Sequence, residues 1–172
     1  MGRFVNPDNS AFQATLNAEI YVDKTLLIEE INKVLGTTDG YICNSRPRRF
    51  GKSITANMLT AYYSKGCDSK KMFSDLAISR QADFEKHLNQ YDVIHIDIQW
   101  FLSNVQGADR VVSYITESVL EELRILYPQQ VSKDIITLPE ALSRIKDATG
   151  QKFIIIIDEW DAICRDLKPG SP

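Results

Sequence analysis

The sequence predicts an α/β fold of three layers built around a mostly parallel sheet, and three features predict it. Strand-like runs rich in β-branched residues alternate along the chain with stretches of helical periodicity, the pattern of βαβ units. The run Phe153-Ile154-Ile155-Ile156-Ile157 is apolar throughout, as suits a strand at a sheet centre covered on both faces. Helix boundaries are marked between the strands, by Gly36, Pro128, Pro139 and Gly150.

The elements follow in order. Residues 11–18 carry no strong pattern and read as an ordered lead-in. A helix is expected over residues 24–35, with Asp23 as its N-cap, Leu27, Ile31 and Val34 as its apolar stripe, and Gly36 just past its end. Tyr41-Ile42-Cys43-Asn44 reads as a short strand, and a helix follows over residues 52–64 with Ile54, Met58 and Ala61 on one face. Phe73, Leu76 and Ile78 are expected to pack within a connecting segment, ahead of a short helix over residues 82–88. Residues 93–98 form the next strand, residues 108–127 a long helix stopped by Pro128, and residues 139–148 a helix with proline in its first turn. Residues 153–157 carry the strongest strand signal in the chain.

Composition sets limits on function. The chain has 172 residues, 44% hydrophobic and 25% charged, enough for one domain with a true core. A net charge of -3 argues against a generally basic nucleic-acid binder. Cys43, Cys67 and Cys164 are far apart, without metal-ligand spacing and odd in number, which suggests reduced thiols in a cytoplasmic protein. Residues 1–10 lack the apolar core of a signal peptide, and no apolar run is long enough to cross a bilayer, so no membrane partner is expected. His87 and His95 read as structural, and Trp100 and Trp160 as packing residues.

The chemistry sits in two motifs. Gly51-Lys52-Ser53 lies between a strand and a helix, where a phosphate-binding loop must lie. Gly51 permits a positive φ and close backbone approach, Lys52 a point charge on the β- and γ-phosphates, and Ser53 a hydroxyl ligand for magnesium. Arg46 occupies the position of the usual first glycine, so the tripeptide alone equally describes a helix-start turn with an exposed lysine. The second motif changes that balance. Asp158 and Glu159 end the apolar strand in a Walker B arrangement, Asp158 for magnesium and Glu159 for the attacking water. Read alone, the pair also suits a helix N-cap; the two motifs in this order point to nucleotide binding. The strand at residues 93–98 falls between them, and Asp97 at its end is a candidate for polar contacts there, with turn chemistry the favoured reading. Arg46, Arg48 and Arg49 leave three readings open: phosphate contacts, nucleic-acid or partner contacts, or a solvated basic loop.

At these motifs the chain resembles the AAA-ATPase-like family of anaerobic and gut bacteria. The resemblance rests on Tyr21-Val22-Asp23-Lys24-Thr25, on Arg46-Pro47-Arg48-Arg49-Phe50-Gly51-Lys52-Ser53, and on Ile157-Asp158-Glu159-Trp160-Asp161. It implies that Arg46 is a signature, that residues 46–54 (Arg46, Pro47, Arg48, Arg49, Phe50, Gly51, Lys52, Ser53 and Ile54) bind ATP, and that members often carry a C-terminal restriction-endonuclease-like domain. It also implies that residues 21–25 lie over the nucleotide.

The expected architecture is thus a three-layer P-loop NTPase of the ASCE/AAA-like kind, with a lead-in and helix over residues 1–39 and a nucleotide-binding core over residues 40–172. That core is expected to be incomplete at its C-terminus, where a sensor strand, an arginine finger and a lid would follow. The leading function is Mg-dependent ATP binding and hydrolysis, with Lys52 and Glu159 catalytic. The alternative is a switch module that binds ATP without turnover and reports to a nucleic-acid-processing partner domain. Exposed sheet edges would favour self-association.

Overall fold

Two runs of β-branched residues pair as parallel strands between two apolar cores. The computed structural model describes residues 2–45, 50–105 and 107–166. Strand β1 (Asp92–Asp97) lies parallel to β2 (Phe153–Asp158), in a register that sets Asp92 beside Phe153 and Asp97 beside Asp158. Among the described residues the sheet has these two strands, and the fold is α/β with a small parallel sheet.

Alternation along the strands sends side chains to opposite faces, and helices pack against both. On one face Val93, Ile154 and Ile156 meet α2 (Leu26–Val34) and α3 (Lys52–Tyr63) in a core that includes Ile28, Met58, Tyr62, Tyr63 and Phe73. On the other, Ile94 and Ile96 meet α6 (Ile98–Ser103), α7 (Val111–Leu126) and α8 (Leu138–Thr149) through Phe101, Val119, Leu123 and Ile145. Burial of each large side chain contributes about 1.5–3 kcal/mol.

Most expected elements form. Gly36 and Gly150 take left-handed conformations past their helices, with φ of 75° and 72°, and Pro139 sits in the first turn of α8. Phe73 and Ile78 are fully buried in the connecting segment, which holds the short helices α4 (Lys70–Phe73) and α5 (Phe84–His87).

Several expectations need correction. The lead-in is helical: α1 (Ser10–Leu16) buries Phe12 against Phe73, a stacking that one aromatic in seven residues does not signal. Helix α2 starts at Leu26 with Thr25 as N-cap, because the Asp23 carboxylate bonds Thr25 and Ala77 instead of the helix. Its buried apolar residues are Ile28 and Ile31. Residues 41–44 form no strand, and Tyr41 is 97% exposed. A strand needs a ladder partner, and the outer edge of β1 is taken by residues 4–6: Asn6 N–H donates to Val93 O at 2.7 Å and His95 N–H to Phe4 O at 2.8 Å. For the same reason β1 does not stand between residues 41–44 and β2. Finally, β2 is not covered on both faces, since Ile155 and Ile157 are 51% and 52% exposed along its free edge, and Trp160 is exposed rather than packed.

Candidate functional site

In open α/β sheets ligands bind outside the carboxyl ends of parallel strands, and both carboxylates of this sheet's end lie there. Asp97 and Asp158 are register partners at the last residues of β1 and β2. Helix α3 starts beside them. A cleft of about 290 Å³ lies between, lined by Ser53 and Asn57 of α3, His95 and Asp97 of β1, Asp158 of β2, Trp100 of α6, and Arg3, Phe4 and Pro7 of the N-terminal segment. A larger groove of about 630 Å³, between α7 and the start of α8, contains none of the motif residues.

The sequence motifs converge only in part. Ser53 and Asp158 share the cleft. Gly51 caps α3 with φ 80°, the left-handed conformation its role requires, and its carbonyl accepts Thr55 N–H at 2.9 Å. Lys52 and Glu159 adjoin Ser53 and Asp158 in sequence without lining the cleft. Phe50 and Ile54 are exposed beside it. Arg46, Pro47, Arg48 and Arg49 lie outside the described residues.

Asp158 is buried and its Oδ1 accepts the Glu159 N–H at 2.9 Å. Glu159 itself has φ 52°, a conformation that costs an L-residue about 1–2 kcal/mol. Such strain persists where surrounding structure imposes it, and it clusters at functional sites. Here it turns the chain sharply off the end of β2, and the Glu159 carbonyl accepts Ala162 N–H at 2.9 Å to open α9 (Ala162–Asp166).

Asp97 does serve the turn: its carboxylate caps α6 by accepting Trp100 N–H at 3.1 Å. His95, expected to be structural, lines the cleft as well. Its Nδ1 lies 2.9 Å from Thr60 Oγ1, which donates to the Ala56 carbonyl at 3.0 Å. A carbonyl only accepts, so both contacts are satisfied together when Nδ1 carries the proton and Nε2 is the basic nitrogen. Burial holds this imidazole below its ordinary value, against the opposing pull of Asp158 and Asp97.

The Tyr21–Thr25 motif has a physical tie to the segment that leads into α3. Lys24 Nζ donates to the Phe50 carbonyl at 3.1 Å, one residue before Gly51. Its neighbours are fixed: Asp23 accepts Thr25 N–H, Thr25 Oγ–H and Ala77 N–H, and fully buried Thr25 accepts Ile78 N–H. Burial alone would raise the Asp23 carboxyl, and these hydrogen bonds override it and hold it below its ordinary value. Tyr21 is pushed up to about 12 by burial and by Asp23.

Sequence reasoning missed Asn57, His95 and Arg3 as parts of this region. Asn57 follows Ser53 by four residues and His95 precedes Asp97 by two, so helical and strand periods could have found both. Nothing local marks Arg3.

Comparison with known proteins gives one family. Residues 11–168 match the family model described as a predicted AAA-ATPase. No curated protein and no solved structure matches the chain.

Proposed function

The chain belongs to the predicted AAA-ATPase family, and from that premise we propose that it binds ATP with magnesium and hydrolyses it, as a three-layer P-loop NTPase core. The observation that carries this reading is the shared cleft of Ser53, which opens α3, and Asp158, which closes β2. The segment leading into α3 would wrap the phosphates, with Lys52 on the β- and γ-phosphates and the N-terminus of α3 adding partial positive charge. Lys24, braced against the Phe50 carbonyl, would hold the loop's last turn in position.

The donors fit magnesium. Ser53 and Asp158 offer one hydroxyl and one carboxylate, hard oxygen ligands that leave the remaining positions to phosphate oxygens and water. Among the described residues no group of three or more His, Cys, Asp or Glu side chains forms a protein-only cage. Bound there, the ion would neutralise charge on the phosphates. Glu159 would orient the attacking water, and the chain's share of catalysis is alignment and charge stabilisation.

A specific observation also favours a second reading, a nucleotide-dependent switch. Glu159 does not line the cleft, so ATP could be held without a positioned water.

Calorimetric titration with ATP and ADP, with and without magnesium, tests the main reading beside a Lys52→Ala control. Magnesium-dependent binding that the control abolishes is expected; equal binding by the control would sink the P-loop assignment. Glu159→Gln then separates the two readings, since it traps bound ATP in an enzyme and changes nothing in a switch.

A further inference from the structure

The first residues of the described chain are held with unusual firmness for a terminal segment. The Glu122 carboxylate on α7 accepts three consecutive backbone N–H groups, from Arg3 at 2.8 Å, Phe4 at 2.9 Å and Val5 at 2.7 Å. Gly2 N–H closes a turn onto Val5 O at 3.0 Å, and a Cβ on Gly2 would collide with Glu122 Oε2. Val5 is fully buried and bridges to Ile94, and Asn6 exchanges hydrogen bonds with Val93. Residues 2–6 are therefore a strap fixed along the free side of β1.

What the strap delivers to the cleft is one cation. The Arg3 guanidinium lies over the Trp100 ring, Cζ 3.9 Å from its centroid, and both side chains line the cleft with Ser53 and Asp158. Trp100 is itself locked between Phe4, Phe101 and Tyr114. Stacking occupies the face of a guanidinium and leaves its five in-plane N–H groups to point at a ligand. Among the described residues those groups make no hydrogen bond and no ion pair; only the Arg3 backbone N–H is engaged. A planar donor fork, pre-oriented on an aromatic ring beside a hydroxyl and two carboxylates, matches a phosphate group bidentately.

We propose that Arg3 is a phosphate-recognising residue that contacts the terminal phosphate of the bound nucleotide, so that the strap makes the site distinguish triphosphate from diphosphate. The proposal rests on the nucleotide reading above and adds a residue from outside the segment that matches the family. Lys52 would engage the phosphates and Ser53 the magnesium from the start of α3, whereas Arg3 enters the cleft from the strap beside β1. Losing it would remove a contact that only the triphosphate has.

The test compares affinities of the full chain, its Arg3→Ala variant and its Arg3→Lys variant for Mg-ATP and Mg-ADP by calorimetry. Arg3→Ala is expected to weaken Mg-ATP about tenfold or more while Mg-ADP stays within about twofold. Arg3→Lys restores only part of the loss, because an ammonium keeps the charge without the fork. Unchanged Mg-ATP affinity in Arg3→Ala overturns the proposal. So does an equal loss for both nucleotides, which would assign Arg3 a structural role. A wild-type chain that binds neither nucleotide overturns the nucleotide reading itself, a result distinct from the other two.

Discussion

Replacing Glu122 by glutamine probes how the strap is held. The carboxylate accepts three backbone N–H groups, Arg3 on Oε1, and Phe4 and Val5 on Oε2. Glutamine keeps one acceptor oxygen. In its better orientation that oxygen retains Phe4 and Val5, and its own NH2 group then faces the Arg3 N–H, donor against donor. The two retained bonds lose their charge assistance, about 1 kcal/mol each, and the third is lost, at about 2 kcal/mol. Glu122 is half-buried, so water screens and partly replaces these bonds, and the net cost falls to ~2 kcal/mol. For a chain of this size that corresponds to a melting temperature lower by about 4–8 °C. Urea unfolding should show a lower midpoint with an unchanged slope, and amide exchange should accelerate at Arg3, Phe4 and Val5 ahead of β1. An unaltered midpoint together with unaltered exchange at these three amides would refute the reasoning, because the carboxylate would then contribute nothing to holding the strap.

Two further outcomes are expected. His87 and His95 are both held below the ordinary histidine value of 6.5, chiefly by burial, with Lys86 adding to the effect at His87. The unfolded chain therefore binds protons first, and stability is full above about pH 6.5 and declines as pH falls through that value toward the folded pKa. The urea midpoint should drop between about pH 7.5 and about 5.5, and drop less in the His87→Gln, His95→Gln double variant; a midpoint that rises on acidification contradicts the sign. Along the free edge of β2, Ile155→Lys should reduce concentration-dependent association in sedimentation runs without lowering the melting temperature, since edge charge blocks strand addition. A monomeric wild type would show that this edge does not drive association.

Much of the fold was legible because its signals are local. Gly36, Pro139 and Gly150 mark helix ends through backbone stereochemistry that needs no tertiary partner, and each falls where expected. The runs at 93–98 and 153–157 advertise strands by β-branching, and they pair. The same signal misleads at Tyr41-Ile42-Cys43-Asn44, because an apolar run reports fitness to pair and says nothing of whether the fold brings it to a partner edge. Ser53 and Asp158 were readable as a pair from motif order. Arg3 and Glu122 were not, since the strap is held by a carboxylate more than a hundred residues away acting on backbone N–H groups, which leave no trace in residue type. Lys24 stood in a motif recognised by resemblance alone, and its hydrogen bond to the Phe50 carbonyl supplies the physical link to the loop.

The strap also gives the sheet a direction of growth. With Phe4, Val5 and Asn6 closing the outer side of β1, an added strand would dock on the edge left open among the described residues, that of β2. That is the strand whose last residue is Asp158 and whose next residue is the strained Glu159. A strand added there would therefore lie directly alongside the strand that ends in Asp158 and turns at Glu159.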